Sequence, residues 1–215
     1  TIIPGGVNFT IQSHGATSCE LLLFHREAEE PFAALKFPDN YKIGFVYSMI
    51  VFGLDVEEFE YAYRLDGPYD EKKGLRFDKT RILLDPYARA VTGQSQWGCK
   101  NNPQHSYRAR VVQNNFDWGL ERSEPIPMED LVIYELHVRG FTKSHTSNVA
   151  CPGTFRGLEE KIPYLKKLGI NAVELMPVFE FDEMRDARLI DENELLDYWG
   201  YNPVCFFAPN TSYAS

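Results

Sequence analysis

Several things are scarce in this 215-residue chain, and each scarcity removes a class of function. The four cysteines, Cys19, Cys99, Cys151 and Cys205, lie far apart and form no CxxC pair. That spacing suggests neither a zinc site nor a dithiol redox centre, so reduced structural thiols are expected. Positive charge is short: 22 Lys and Arg stand against 31 Asp and Glu, a formal net charge of −9. Nucleic-acid binding needs concentrated Lys and Arg to displace counterions, so no nucleic-acid partner is expected. No apolar run approaches the roughly 18 to 20 residues needed to cross a bilayer, and no membrane association is expected. No charged-then-apolar leader opens the chain, which makes a cytoplasmic location the expectation. A start at Thr1 and a stop at Ser215 without an evident capping element fit a piece of something longer.

What is plentiful is apolar and aromatic surface. Hydrophobic residues make up 44% of the chain and aromatics 14%, with 12 Tyr and 3 Trp. That is enough for a real core, and flat rings suit neutral sugar faces as well as ordinary packing. Val7–Ile11 alternates apolar and polar, Ser13–Ala16 supplies turn chemistry, and Cys19–Phe24 resumes as a more buried run, predicting a hairpin-like opening. Lys42–Phe52 reads as a further strand. In Glu58–Leu65 the residues Phe59, Tyr61, Tyr63 and Leu65 fall on one face. Arg81–Leu84 and Tyr107–Val112 are short strand candidates. Short strands with turn signals and no long helix predict an antiparallel β-sandwich over residues 1–124. Trp97 and Trp118 could form a glucan-binding face or pack under loops, and packing is the expected use. His14, His25 and His105, beside turns, read as surface residues.

The pattern changes after Glu124–Pro125–Ile126–Pro127, where two prolines favour an extended link and predict a domain boundary. Leu131–Val138 is nearly all apolar or β-prone, as a strand covered on both faces would be. Gly157–Leu168 places Leu158, Ile162, Leu165 and Leu168 at helical spacing, with Gly169 as the stop. Pro163 predicts either a kink or a short turn followed by a fresh helix with Pro163 first. Ile170–Pro177 is a second apolar strand. Strand, helix and strand in that order predict a βαβ unit, which could open a doubly wound sheet or a (β/α)8 barrel over residues 125–215. No glycine-rich phosphate loop follows the first strand, which weakens nucleotide binding. Residues 180–197 hold eight carboxylates against Arg185 and Arg188. A solvated acidic loop is expected there, with calcium a lesser alternative. Directly after it comes Asp197–Tyr198–Trp199–Gly200–Tyr201–Asn202–Pro203, either a sugar platform at a barrel mouth or a tightly packed turn.

Five blocks, taken in order, resemble the beginning of an isoamylase-type glycogen debranching enzyme of the α-amylase superfamily. They are Gly6–Phe9 with Glu20–Leu21; Tyr63–Tyr69 with Leu83–Ala88; Ile133–Thr142; Tyr164–Ile170 with Ala172–Pro177; and Tyr198–Pro203 with Phe206–Pro209 and Tyr213–Ser215. The resemblance implies an immunoglobulin-like, carbohydrate-binding-module-like sandwich followed by the first βαβ portion of an incomplete (β/α)8 barrel. It implies hydrolysis of α-1,6-glucosidic branch points in glycogen-like α-glucans, with retention. Such chemistry uses two carboxyl groups roughly 5 to 5.5 Å apart. In the family these come from later barrel strands, so no catalytic residue is assigned within this chain, and the chain alone is expected to be inactive. Tyr201 matches the tyrosine that stacks on the sugar at the cleavage site, and Trp199 and Asn202 are candidates for the same rim. His137 and Arg139 are expected to brace the mouth through buried hydrogen bonds. Neither Glu135 nor Glu174 is promoted to an acid or base, and no cofactor or metal is assigned. The alternatives are a branching-type transferase and a non-catalytic glucan-binding module.

Overall fold

A computed structural model describes residues 1–92, 94, 96–99, 107–113, 115–119 and 125–215; His105 and Glu124 lie outside these. The chain forms two compact units, one of Thr1–Gly93 with Asn101–Gln113, the other of Gln94–Lys100 with Asn114–Ser215.

In the first unit the strands are β1 (Ile2–Ile3), β2 (Gly6–Gln12), β3 (Ser18–His25), β4 (Ala33–Lys36), β5 (Lys42–Ile43), β6 (Val46–Phe52), β7 (Phe59–Asp66), β8 (Tyr69–Asp70), β9 (Leu75–Arg76), β10 (Ala90–Thr92) and β11 (Arg108–Arg110). Antiparallel pairing gives one sheet in the order β1-β2-β6-β5 and another in the order β10-β11-β7-β3-β4. The sheets face each other through aromatic rings. Phe9 meets Phe59 and Tyr61 edge-on at centroid distances of 6.2 and 5.1 Å, and Phe37 meets Tyr47 at 6.0 Å. The Tyr47 hydroxyl donates to the Ala16 carbonyl at 2.8 Å, so its buried polar end is satisfied. This is a β-sandwich, and the alternation of Phe59, Tyr61, Tyr63 and Leu65 puts all four in its core.

The opening hairpin is not formed. The strand β2 pairs along its whole length with β6, from Gly6↔Phe52 to Gln12↔Val46, while β3 lies between β4 and β7 in the other sheet. Burial explains the separation. Val7, Phe9 and Ile11 hide one face of β2, but Leu21 to Phe24 are buried on both faces of β3, which demands an interior place in a sheet covered on both sides. The Lys42–Phe52 run splits at Gly44, whose φ of +59° makes a turn between β5 and β6. Arg81–Leu84 contributes only a bridge from Leu83 to Tyr63.

The outward face of the second sheet carries Leu22, Phe24 and Ala62, with Ile82 packed against them. Into this apolar layer the fold inserts a charged pair. Glu60 and Arg108 are both buried, with Nη1 and Oε2 3.6 Å apart. The Arg108 guanidinium lies 3.7 Å from the centre of the Phe24 ring and donates to the carbonyls of Ala28 and Glu29. Burial draws the Arg108 pKa down, opposed by the attraction of Glu60. Removing one partner of such a pair strands a buried charge. Arg108→Ala should therefore lower stability by about 3–5 kcal/mol in urea unfolding of the 215-residue chain, whereas Arg108→Met combined with Glu60→Leu should lose far less.

In the second unit, β12 (Ile133–Leu136) and β13 (Ala172–Leu175) pair in parallel, in register from Ile133↔Ala172 to Leu136↔Leu175. Between them lie α1 (Val138–Thr142), α2 (Phe155–Glu159) and α3 (Ile162–Lys167). The single amphipathic helix is thus broken in two, and Pro163 is the second residue of α3, where the N–H it lacks would have had no helical partner. Thr154 caps α2 by accepting from the Gly157 N–H at 3.1 Å, and Gly169, with φ +90°, follows α3 as its stop. The two apolar strands are not covered on both faces: Ile133 is 54% exposed, and Val173 and Leu175 are also open. Among the described residues β12 and β13 form a two-stranded sheet. The rest of this unit is β14 (Phe179–Phe181), the β15 (Arg188–Ile190) and β16 (Asn193–Leu195) hairpin, and β17 (Pro203–Pro209), antiparallel to β14. Among the described residues no helix is long and apolar enough to cross a membrane.

Candidate functional site

The site is built on His137, the residue directly after β12 and the cap of α1. Its Nδ1 accepts the Gly140 N–H at 3.0 Å, and its Nε2 lies 2.7 Å from the Tyr198 carbonyl. An acceptor on one nitrogen and a carbonyl beside the other admit one state, the neutral ring with its proton on Nε2. Burial pushes the His137 pKa below the usual histidine value; the Tyr198 hydrogen bond opposes this and the Arg139 charge adds to it. The Tyr198 ring stacks on the imidazole, centroids 4.0 Å apart and planes within 8°. A Cβ on Gly140 would collide with the Tyr198 hydroxyl, so glycine is required where that ring closes over the start of α1.

Trp97 stands behind this stack. Its indole is edge-on to His137, Tyr198 and Phe181 at 6.5, 6.2 and 5.9 Å, and nearly parallel to Tyr213 at 6.0 Å. The Arg139 guanidinium sits 4.7 Å from the centre of its ring. Val138, Phe181 and Tyr213 form the buried cluster on which Trp97 and Phe155 rest. Trp97 thus packs, as expected. Trp118 does not: it is 84% exposed and touches Phe116, itself exposed. His14 and His25 are exposed, stacked on Phe45 and Phe32.

The candidate sugar contacts sit on the turn from Trp199 to Asn202. Gly200 adopts φ +81°, and a Cβ there would come within 2.5 Å of the Phe181 ring, so the turn lies flat on that ring. Its N–H is held by the Asp197 carboxylate at 3.2 Å. Trp199 and Tyr201, on either side of the glycine, are 64% and 66% exposed. No other ring lies on either of them among the described residues. Asn202 is tied down, accepting from Arg185 at 3.3 Å and donating to Asp186 at 3.4 Å. The sequence left open whether this stretch is a platform or a packed turn; it divides into a packed base, Tyr198 and Gly200, and open rings. The sandwich has a separate cleft of about 330 Å³, lined in part by His14, Leu75, Phe77 and Arg81.

The acidic stretch is not a uniformly solvated loop. Glu180 is 1% exposed and Glu183 fully buried, because Phe179–Phe181 is a strand and the chain folds back over it. Glu183 Oε1 accepts the Gly98 N–H at 2.8 Å, and Glu180 Oε2 accepts the Thr211 N–H at 2.7 Å. Among the described residues Glu180 Oε1 and Glu183 Oε2 have no hydrogen-bond partner. Burial pushes the Glu180 carboxyl up to about 7 against its hydrogen bonds to Thr211, and burial also raises Glu183. Among the described residues no three His, Cys, Asp or Glu side chains are grouped to hold a metal ion. All four cysteines are free, with burial pushing Cys19 up to about 12.

A two-sheet antiparallel sandwich followed in the chain by a parallel strand–helix–strand defines the class by fold: a β-sandwich and a small α/β unit in one chain. Residues 2–88 match carbohydrate-binding module 48, the isoamylase N-terminal domain. Over the whole chain the sequence is 34% identical to isoamylase 1, chloroplastic, of Arabidopsis thaliana, covering 29% of that protein. It is 36% identical to a glycogen debranching enzyme of Yersinia enterocolitica, over 98% of this chain and 33% of the relative. The structure superposes on pullulanase from Anoxybacillus sp. LM18-11 complexed with maltotetraose, with a TM-score of 0.75, 27% identity, and coverage of all of this chain and 29% of that one. The chain therefore spans a third or less of the length of these relatives. Residues 2–88 thus carry a match to the isoamylase N-terminal domain, and the chain along its whole length is similar to isoamylases and glycogen debranching enzymes.

Sequence reading missed Tyr198, Tyr213 and Phe181 as members of one cluster, and Glu180 and Glu183 as buried carboxylates. The sole signal was Gly140 and Gly200, placed where a side chain would strike a ring. The raised Glu180 pKa carries a testable consequence. The unfolded carboxyl titrates near 4.5 and the folded one near 7, so the native state holds the extra proton between those values. Stability is complete below about pH 4.5 on this account and is lost as pH rises toward 7, by about 3 kcal/mol in total. Glu180→Gln should remove that slope when urea midpoints are compared at pH 5 and pH 8.

Proposed function

We propose that this chain is the sugar-handling front of a glycoside hydrolase that cleaves α-1,6 branch points in glycogen or related α-glucans with retention. The single observation carrying this is the alignment of essentially the whole chain, sandwich and second unit alike, with isoamylases and glycogen debranching enzymes. In this reading residues 1–124 are the module and residues 125–215 the opening of a (β/α)8 barrel. Support for the barrel comes from the parallel β12–β13 pair and from its exposed apolar residues, which suit a sheet continued and covered by further elements. Support for a neutral polymeric substrate comes from open aromatic rings on a chain with net charge −9.

Tyr201 is the sugar wall. A ring held at its base by Gly200 on Phe181 and open on its faces can stack against the apolar face of a glucose unit and so hold substrate in place. Trp199 offers a second open ring, and Asn202, fixed between Arg185 and Asp186, shapes the rim. None of the carboxylates here takes the role of nucleophile or acid: Glu180 and Glu183 are engaged with backbone N–H groups and buried beneath the turn. His137 keeps its neutral form to hold the Tyr198 carbonyl and moves no proton.

The full-length parent, given glycogen, should release linear maltooligosaccharides, and the 215-residue chain alone should release none. A full-length protein that leaves branch points intact would sink the reading. Within an active parent, Tyr201→Ala should reduce kcat/KM on a branched maltooligosaccharide by roughly tenfold or more, while Tyr201→Phe stays close to wild type because the ring face, not the hydroxyl, makes the contact.

A further inference from the structure

The turn that carries Trp199 and Tyr201 projects both rings into the open, so nothing at its tip fixes their orientation. It is fixed at two points beneath: at Tyr198, through its carbonyl on His137 Nε2 and its ring on the imidazole, and at Gly200, through its seat on Phe181. Trp97 and Tyr213 each touch partners at both points, and Trp97 alone of the two also meets the Tyr198 ring. Trp97 lies 6.2 Å from Tyr198 and 6.5 Å from His137 on one side, and 5.9 Å from Phe181 on the other. It is in turn held by Tyr213, nearly parallel at 6.0 Å, and by Arg139 at 4.7 Å.

Trp97 reaches this place on a segment that, in sequence, interrupts the sandwich. Residues 94–99 fall between β10 and β11 yet belong to the second compact unit. Two further bonds fasten the segment: the Thr211 hydroxyl donates to the Gln94 carbonyl, and the Gly98 N–H donates to buried Glu183. A loop between sandwich strands that served only to connect them would need neither bond.

We propose that Trp97 is a positioning residue for the sugar-stacking turn, setting the orientation of Tyr201 through the Tyr198–His137 stack and the Phe181 seat. This rests on the glucan-binding role given to Tyr201 above. Stacking depends on the angle and depth of the ring, so loosening its base weakens substrate binding while bond cleavage at carboxylates elsewhere proceeds once substrate is bound. Trp97 touches no sugar in this scheme.

The test uses the full-length parent, a soluble branched maltooligosaccharide, and the variants Trp97→Ala, Trp97→Leu, Trp97→Phe, Tyr201→Ala and the Trp97/Tyr201 double variants. Trp97→Ala and Trp97→Leu should raise KM by about tenfold with kcat within about twofold, and Trp97→Phe should recover most of the loss. In the Tyr201→Ala background, Trp97→Leu should raise KM no further, because the ring it positions is gone. Should Trp97→Ala fail to accumulate, Trp97→Leu carries the measurement. Unchanged KM in the folded Trp97 variants, or a full additive effect in the double variant, would overturn the inference and leave Trp97 a packing residue. A wild-type parent without debranching activity would instead overturn the functional reading on which it rests.

Discussion

The candidate site depends on a single imidazole that is a hydrogen-bond acceptor at one nitrogen and a donor at the other. His137 accepts from the Gly140 N–H and donates to the Tyr198 carbonyl, so it must be neutral, and its ring plane is fixed by two groups 58 residues apart in the chain. A protonated ring would have a second N–H facing the Gly140 N–H, with no acceptor to receive it. From that fixed plane follow the stack of Tyr198, the glycine at 140 that makes room for it, and the entry of the chain into the Trp199–Asn202 turn.

The two units bury polarity for different ends. In the sandwich, Arg108 and Glu60 neutralise each other inside an apolar layer, and Arg108 also stacks on Phe24 and bonds two carbonyls, so nearly every demand of the guanidinium is met within one sheet and its loops. In the second unit Glu180 and Glu183 form no ion pair among the described residues, Arg139 attracting Glu183 without bridging to it; their carboxylates accept the backbone N–H groups of Thr211 and Gly98. Desolvation then outweighs the hydrogen bonds and favours the protonated acid. These carboxyl groups act as clasps for the 94–99 and 210–211 segments under the aromatic turn.

Much of the fold was legible because it rests on local period. The alternation through Phe59, Tyr61, Tyr63 and Leu65 marks one buried face whatever sheet receives it, and the apolar runs at 131–138 and 170–177 mark strands. Pairing was less legible: β2 and β3 sit a short turn apart and would make a hairpin on local grounds, but burial on both faces of β3 sends it to the interior of the other sheet. The acidic stretch misled for the same reason. Eight carboxylates within residues 180–197 imply water, and only the return of the chain over β14 hides Glu180 and Glu183 from it.

The sequence by itself determined a sandwich, a parallel strand–helix–strand, a break at Pro163, and a glycine-centred aromatic turn holding Tyr201, because each of these follows from periodicity, backbone restriction or motif order within a few residues. Tertiary structure alone decided that Trp97, His137, Phe181, Tyr198 and Tyr213 form one cluster beneath that turn. Their chain positions share no period, and a ring finds its stacking partner only when strands and loops remote in sequence have been packed around it.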